Sequence, residues 1–245
     1  MSQAKKVFTR MCLNNWGGID HKVLEFHEYV NLFSGKSGSG KSTVMDAIQV
    51  ILYGSFSPSF LNKAADDAKN RRSVLSYLRG EQKDGSANRK DCDFCSVIAL
   101  EIEDTGTHII TCIGIAFEVR KSDSEIKKFV YFSHSGKMPE SEYLTEQGVC
   151  YSNQEIKKLV SARTKSDDNR GKGEVNRIYG SKEAYLGTLY DVILGYIDQN
   201  RFITMEKSAI ALKMTNGTGQ FIRDYMFPKN TSNTIATISE QLDSY

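Results

Sequence analysis

Two hydrophobic periods run along this chain. Lys6 to Leu13, KVFTRMCL, reads as a β-strand, Asn14-Asn15-Trp16-Gly17-Gly18 as a turn, and Lys22 to Phe26 as a returning strand, which predicts a hairpin at a sheet edge. Tyr29-Val30-Asn31-Leu32-Phe33 reads as a buried strand. Across a glycine-rich stretch it is followed by Val44, Ala47, Ile48, Ile51 and Leu52 at helical spacing. Phe94 to Ile102, Thr107 to Arg120 and Lys128 to Ser133 read as three consecutive strands, with turns at Asp104-Thr105-Gly106 and near Ser122-Asp123. That is an antiparallel meander, not a βαβ unit. Glu142 to Ala162 predicts a short strand and a helix, and Thr164 to Gly173 a polar mobile loop. Ser181 to Tyr196 predicts a helix with Tyr185, Leu186, Leu189, Tyr190, Ile193 and Leu194 on its apolar face. A short apolar run at Ser208 to Lys213 and the stretch Gly219 to Phe227 precede Pro228. Ile235, Ile238 and Leu242 then mark one side of a starting helix. The pattern predicts an α/β fold in which a strand–loop–helix core adjoins an antiparallel lobe.

The glycine-rich stretch changes the picture most. Gly35-Lys36-Ser37-Gly38-Ser39-Gly40-Lys41-Ser42 fits G-x-x-x-x-G-K-[ST] at every fixed position, and Thr43 follows it. A phosphate chain needs a ring of backbone N–H donors that side chains would block, and glycines let the loop curl with its amides inward. In this pattern Lys41 brings a cation to the β- and γ-phosphates and is the candidate catalytic residue. The Ser42 hydroxyl is placed to ligand Mg²⁺, and the following helix presents its positive end to the same anion. Strand, glycine loop and helix in that order are the context the motif requires. The implied cofactors are ATP and Mg²⁺.

Other features carry weaker chemistry. Lys63, Lys69, Arg71, Arg72 and Arg79 cluster after the first helix; they form either a solvated face or a phosphate contact, to nucleotide or to DNA. Glu81 to Asp91 reads as a flexible polar loop. Val97-Ile98-Ala99-Leu100-Glu101 looks like a strand ending in a catalytic acid, but Glu101 continues the strand alternation into a hairpin and is not assigned that role. Cys92-Asp-Phe-Cys95 is a single C-x-x-C without a second pair, and two thiols at the start of a strand is the favoured reading. Trp16, the sole tryptophan, is either core filler under the turn or part of an Asn15-Trp16 corner beside a nucleotide base.

Composition sets outer limits. In 245 residues, 40% are hydrophobic and 25% charged, as in a globular protein, and no apolar run approaches a membrane span. MSQAKKVFTR shows no secretory core. Five cysteines without a signal fit reduced thiols, so a cytoplasmic, membrane-free protein is expected. The net charge is only +2, so binding to DNA would need a local patch.

The chain resembles the N-terminal half-head of SMC-like, ABC-type ATPases, above all the Wadjet plasmid-defence ATPase and the MukB/MksB condensins. The residues carrying the resemblance are Asn15-Trp16-Gly17, the loop from Gly35 to Thr43 with Met45-Asp46-Ala47-Ile48-Gln49, and Phe60 to Ala65. Arg72 to Gly80 and Phe221-Ile222-Arg223-Asp224-Tyr225-Met226 complete the set. The resemblance implies an ATP-binding half-head over residues 1–230 and the root of a coiled-coil helix over 231–245. It also implies a nucleoid-associated location, DNA as partner, a C-terminal half-head of the same family, paired heads sandwiching two nucleotides, and accessory subunits. Plasmid defence and chromosome condensation are the roles it suggests. In such a family the Walker B strand and signature motif come from the C-terminal segment, and neither is found in this sequence. A Mg²⁺-binding glutamine is expected near residues 209–215; Gln220 lies outside that interval. The alternatives are a self-contained small P-loop NTPase or kinase, and an interaction module that binds nucleotide without turnover.

Overall fold

The structure is a computed structural model, and it describes residues 4–36, 40–57, 73–82, 85–166 and 175–210, the side chains of 207–210 excepted. Contacts divide the chain into a unit of Met1–Gln199 and a unit of Asn200–Tyr245. The described part of the second unit is the body of one helix, α5 (Gln199–Ile210). The expected boundary near 230, the stretch Phe221 to Met226 and the coiled-coil root from 231 lie outside the described residues.

The first unit is built on one six-stranded sheet. The hairpin β1 (Lys6–Trp16) and β2 (Ile19–Glu25) joins the meander β3 (Phe94–Asp104), β4 (Ile110–Val119) and β5 (Lys128–Ser135), and a short β6 (Arg177–Tyr179) closes the far edge. The order is β2-β1-β3-β4-β5-β6, with every neighbouring pair antiparallel. The expected split into a core and a separate lobe is therefore corrected. β1 pairs with β3 from Lys6–Asp104 to Asn14–Val97, so hairpin and meander are one surface. The apolar run Val97-Ile98-Ala99-Leu100 explains this, because it is buried on both faces and needs a layer on each side.

One layer consists of α3 (Asn153–Ser166) and the segment before it. Ile156 and Val160 of α3 pack with Met138, Tyr143 and Cys150 onto Cys12, Val97, Ala99, Cys112, Ala116 and Phe132. Alternation puts Met11, Leu13, Ile98, Leu100, Ile113 and Ile115 on the opposite face, which α1 (Lys41–Tyr53) covers. The C-terminal carbonyls of α1 are not left bare. Tyr131 donates to the Gly54 carbonyl at 2.6 Å, Tyr185 to Ile51 at 2.9 Å and Tyr190 to Leu52 at 2.9 Å. The last two tyrosines come from the expected helix at 181–196, which forms α4 (Lys182–Gly187) and then widens into a π-helical turn over Thr188–Ile193. The Leu194 N–H bonds back to the Leu189 carbonyl there.

Tyr29 to Phe33 is not a strand. Asn31 folds back on His27, accepting from its N–H at 2.6 Å and donating to its carbonyl at 2.8 Å, a local closure that competes with extended pairing. Tyr29, Val30 and Leu32 are exposed by 71%, 76% and 88%.

Candidate functional site

The phosphate loop is held at its helical end. Gly40 is the residue before α1, with φ 87° and ψ 8°, a left-handed conformation that glycine adopts without penalty. Among the described residues no side chain caps the start of α1, and its first turn carries no acid, which leaves the partial positive charge of that helix end without an acid of its own. Lys41 opens the helix. Its Nζ donates to the Gly35 carbonyl at 2.5 Å and to the Lys36 carbonyl at 3.0 Å, so the ammonium closes the loop upon itself. Ser42 is exposed and Thr43 half-buried beside it. Ser37, Gly38 and Ser39 lie outside the described residues.

A buttress stands behind the first turn of α1. The Trp16 ring is fully buried and its Nε1 donates to the Thr43 carbonyl at 2.9 Å. Of the two positions left open to this indole in the sequence, the structure takes the buried one. Trp16 stacks on Tyr77 of α2 (Val74–Arg79), ring centroids 5.1 Å apart and 9° from parallel. Tyr77 donates in turn to the Asp46 carboxylate of α1. Gly17 is left-handed at φ +59°, donates its N–H to the Tyr77 carbonyl at 2.8 Å, and lies against Thr43.

Arg89 completes the buttress, and the sequence reading missed it. Instead of riding on a flexible loop, its guanidinium is buried. It donates to the carbonyl of Gly17, to that of Leu78 at 2.9 Å, and to the Asp20 carboxylate at 2.8 Å. Burial pulls its pKa below the ordinary arginine value, and Asp20 opposes that shift. The signal for Tyr77 was available in the motif-bearing stretch Arg72 to Gly80. Nothing local marks Arg89, because its partners lie 11 to 72 residues away.

The remaining expected residues fall as follows. Lys63, Arg71 and Arg72 lie outside the described residues. Arg79 is half-buried and donates to the Lys121 and Asp123 carbonyls, at 3.2 and 2.5 Å, in the β4–β5 turn. Glu101 is buried within β3 and accepts from the Thr9 hydroxyl at 2.8 Å and the Met138 N–H at 2.7 Å. Cys95 is half-buried at the start of β3 and Cys92 exposed before it; both are free thiols. Among the described residues no helix is long and apolar enough to cross a membrane.

Comparison with known proteins finds similarity over the same segment. Residues 8–68 match the P-loop containing region of AAA domain. The chain is 34% identical over 74 residues to the SbcC component of the SbcCD nuclease of Staphylococcus haemolyticus (strain JCSC1435), a stretch covering 29% of this chain and 6% of that protein's length. Two solved structures also align. One comes from work on ATP-driven dimerization and DNA stimulated activation of SMC ATPases: 14% identity, 63% of this chain and 90% of that chain, TM-score 0.33. The other is the recombination mediator protein RecF with ATP: 15% identity, 86% of this chain and 45% of that chain, TM-score 0.34. Backbone agreement at that level is too low to draw on. The phosphate loop and the hairpin half of its buttress thus lie within residues 8–68, the stretch similar to the P-loop containing region of AAA domain.

Proposed function

We propose that this chain is the ATP-binding N-terminal head segment of an SMC-like DNA motor of the Wadjet or condensin kind, and that hydrolysis requires a C-terminal half-head. The observation that carries this is Lys41 at the head of an uncapped, acid-free α1, its ammonium parked on the loop carbonyls of Gly35 and Lys36. The N-terminal amides of α1 bind phosphate oxygens, and Lys41 leaves the loop carbonyls to meet the same anion. The exposed Ser42 hydroxyl suits Mg²⁺, which supplies charge neutralisation on the phosphates. Trp16, Gly17, Tyr77 and Arg89 hold the first turn of α1 still, which keeps the amides aimed without reorganisation. Phosphoryl transfer is mostly positioning plus charge stabilisation, and the base and second metal ligand come from the partner half. The exposed Tyr29, Val30 and Leu32, directly ahead of the loop, fit a surface that such a half covers. The relative's being a nuclease subunit supports a nucleic-acid substrate and a multi-subunit assembly; on this reading the substrate is DNA and the heads work in pairs.

The test is a titration with a fluorescent ATP analogue and Mg²⁺, then phosphate release with and without the C-terminal half added in trans. Tight binding, little turnover alone and turnover on adding the half are expected. Absence of binding would overturn the proposal. Robust hydrolysis by the chain alone would instead identify a self-contained P-loop NTPase or kinase.

A further inference from the structure

α3 covers one face of the sheet with Ile156 and Val160, and turns Gln154, Lys157, Lys158, Ser161, Ala162 and Lys165 outward. These six line a shallow depression of about 370 Å³. Three are cations and none is an acid. The one acidic residue of α3, Glu155, is committed at the helix start, where its Oε2 accepts from the Ser152 N–H at 2.6 Å and the Ser152 hydroxyl at 2.9 Å. Arg163 is turned inward, with Nη2 donating to the Lys137 carbonyl at 3.2 Å. Among the described residues, Lys157, Lys158 and Lys165 make no ion pair. A net charge of +2 over the whole chain gives no general attraction for polyanions, so an acid-free patch of three lysines is a local departure.

We propose that this outward face of α3 takes the phosphodiester backbone of duplex DNA. The geometry fits the charge spacing. Eight residues of helix separate Lys157 from Lys165, about 12 Å at 1.5 Å per residue, which faces roughly three phosphates of one strand at about 3.4 Å per charge. Ser161 and Ala162, small residues between the lysines, leave the depression into which a sugar–phosphate ridge can settle, and the Ser161 hydroxyl adds a neutral donor. All the contacts are to backbone, so binding is independent of sequence. The assignment rests on the DNA-motor reading and places its track on α3, whereas Arg79 of the basic segment singled out in the sequence is committed to the β4–β5 turn.

The experiment is fluorescence anisotropy with a labelled 30-base-pair duplex over a salt series, with ATP-analogue binding measured on the same protein. Lys157→Gln, Lys158→Gln and Lys165→Gln combined should reduce the slope of log K against log salt by up to about three units. The same positions changed to Arg should keep the slope, and so should a control with Lys22, Lys90 and Lys121 changed to Gln. If the triple variant misfolds by circular dichroism, each single Gln variant should still remove about one unit. A wild-type slope in the Gln variants, or an equal loss in the control, would overturn the α3 assignment while leaving the ATP-binding reading intact. ATP binding without any DNA binding in 50 mM salt would also overturn it. Failure to bind ATP would instead remove the motor reading on which it rests.

Discussion

The indole N–H of Trp16, at the end of the first β-strand, donates to the carbonyl of Thr43 in the first turn of the phosphate-loop helix, 2.9 Å away and 27 residues on in sequence. The bond joins the sheet to the part of α1 that meets phosphate. It also makes the sole tryptophan a built-in reporter. Adding ATP and Mg²⁺ should change its emission, because the helix end it touches takes up an anion. Trp16→Phe removes the bond and part of the ring volume, at a cost of about 1–3 kcal/mol in unfolding free energy, read from urea titrations. An unfolding midpoint equal to wild type would mean the buttress is dispensable.

Gly17 supplies a sharper test of the same contact. A Cβ built there would sit 2.5 Å from Thr43 Cγ2, and the backbone is left-handed at φ +59°. Gly17→Ala should therefore carry two penalties, about 1–2 kcal/mol for the conformation and a further one for the clash, since the β-branched Thr43 has few rotamers to retreat into. Thr43→Ser deletes the clashing methyl. The double variant should regain the steric part alone, a coupling of at least about 0.5 kcal/mol in a double-mutant cycle. Additive effects would show that the two residues do not meet.

Lys41→Ala separates phosphate binding from folding. The ammonium lies half-exposed on two loop carbonyls, so stability should shift by no more than about 0.5 kcal/mol. ATP affinity should fall by about 1.5–3 kcal/mol, the range for a charged hydrogen bond. Isothermal titration with Mg²⁺-ATP measures this, and unchanged affinity would remove Lys41 from the site.

Where local pattern carries the information, the sequence was enough. The hairpin, the three meander strands and the helix after the phosphate loop appear within a few residues of their expected positions, because each rests on its own periodicity and turn residues. Glu101, set aside because the chain turns into a hairpin and the strand alternation continues through it, lies within β3 and accepts from Thr9 and Met138. What escaped was set by distant partners. Tyr29 to Phe33 has the composition of a strand, but Asn31 closes on His27. Arg89 looks like any loop cation until the Gly17, Leu78 and Asp20 acceptors converge on it from two other segments. The union of hairpin and meander into one sheet likewise depends on the β1–β3 pairing, some ninety residues apart, which no local window contains.

The last prediction concerns pH. His134 is fully buried on the α3 face of β5, with Nδ1 3.0 Å from the Ser135 carbonyl and Nε2 2.9 Å from the Tyr143 hydroxyl. The carbonyl can only accept, so Nδ1 carries the proton and Nε2 accepts from Tyr143, whose own ionisation burial pushes well above the ordinary range. Burial holds the His134 pKa down at about 4, with the Ser135 carbonyl favouring the cation and Arg163 opposing it. The unfolded chain, with an ordinary histidine near 6.5, binds a proton first as pH falls. This residue's stabilising contribution is therefore complete above about pH 6.5 and declines as pH drops toward 4, by up to about 1.4 kcal/mol per pH unit. His134→Leu should flatten that part of the stability–pH profile even if it lowers stability overall, while carboxylate titration below pH 4 stays. Urea midpoints at half-unit steps from pH 7.5 to 4 give the comparison. A variant profile parallel to wild type across this window would show that His134 is not held neutral in the fold.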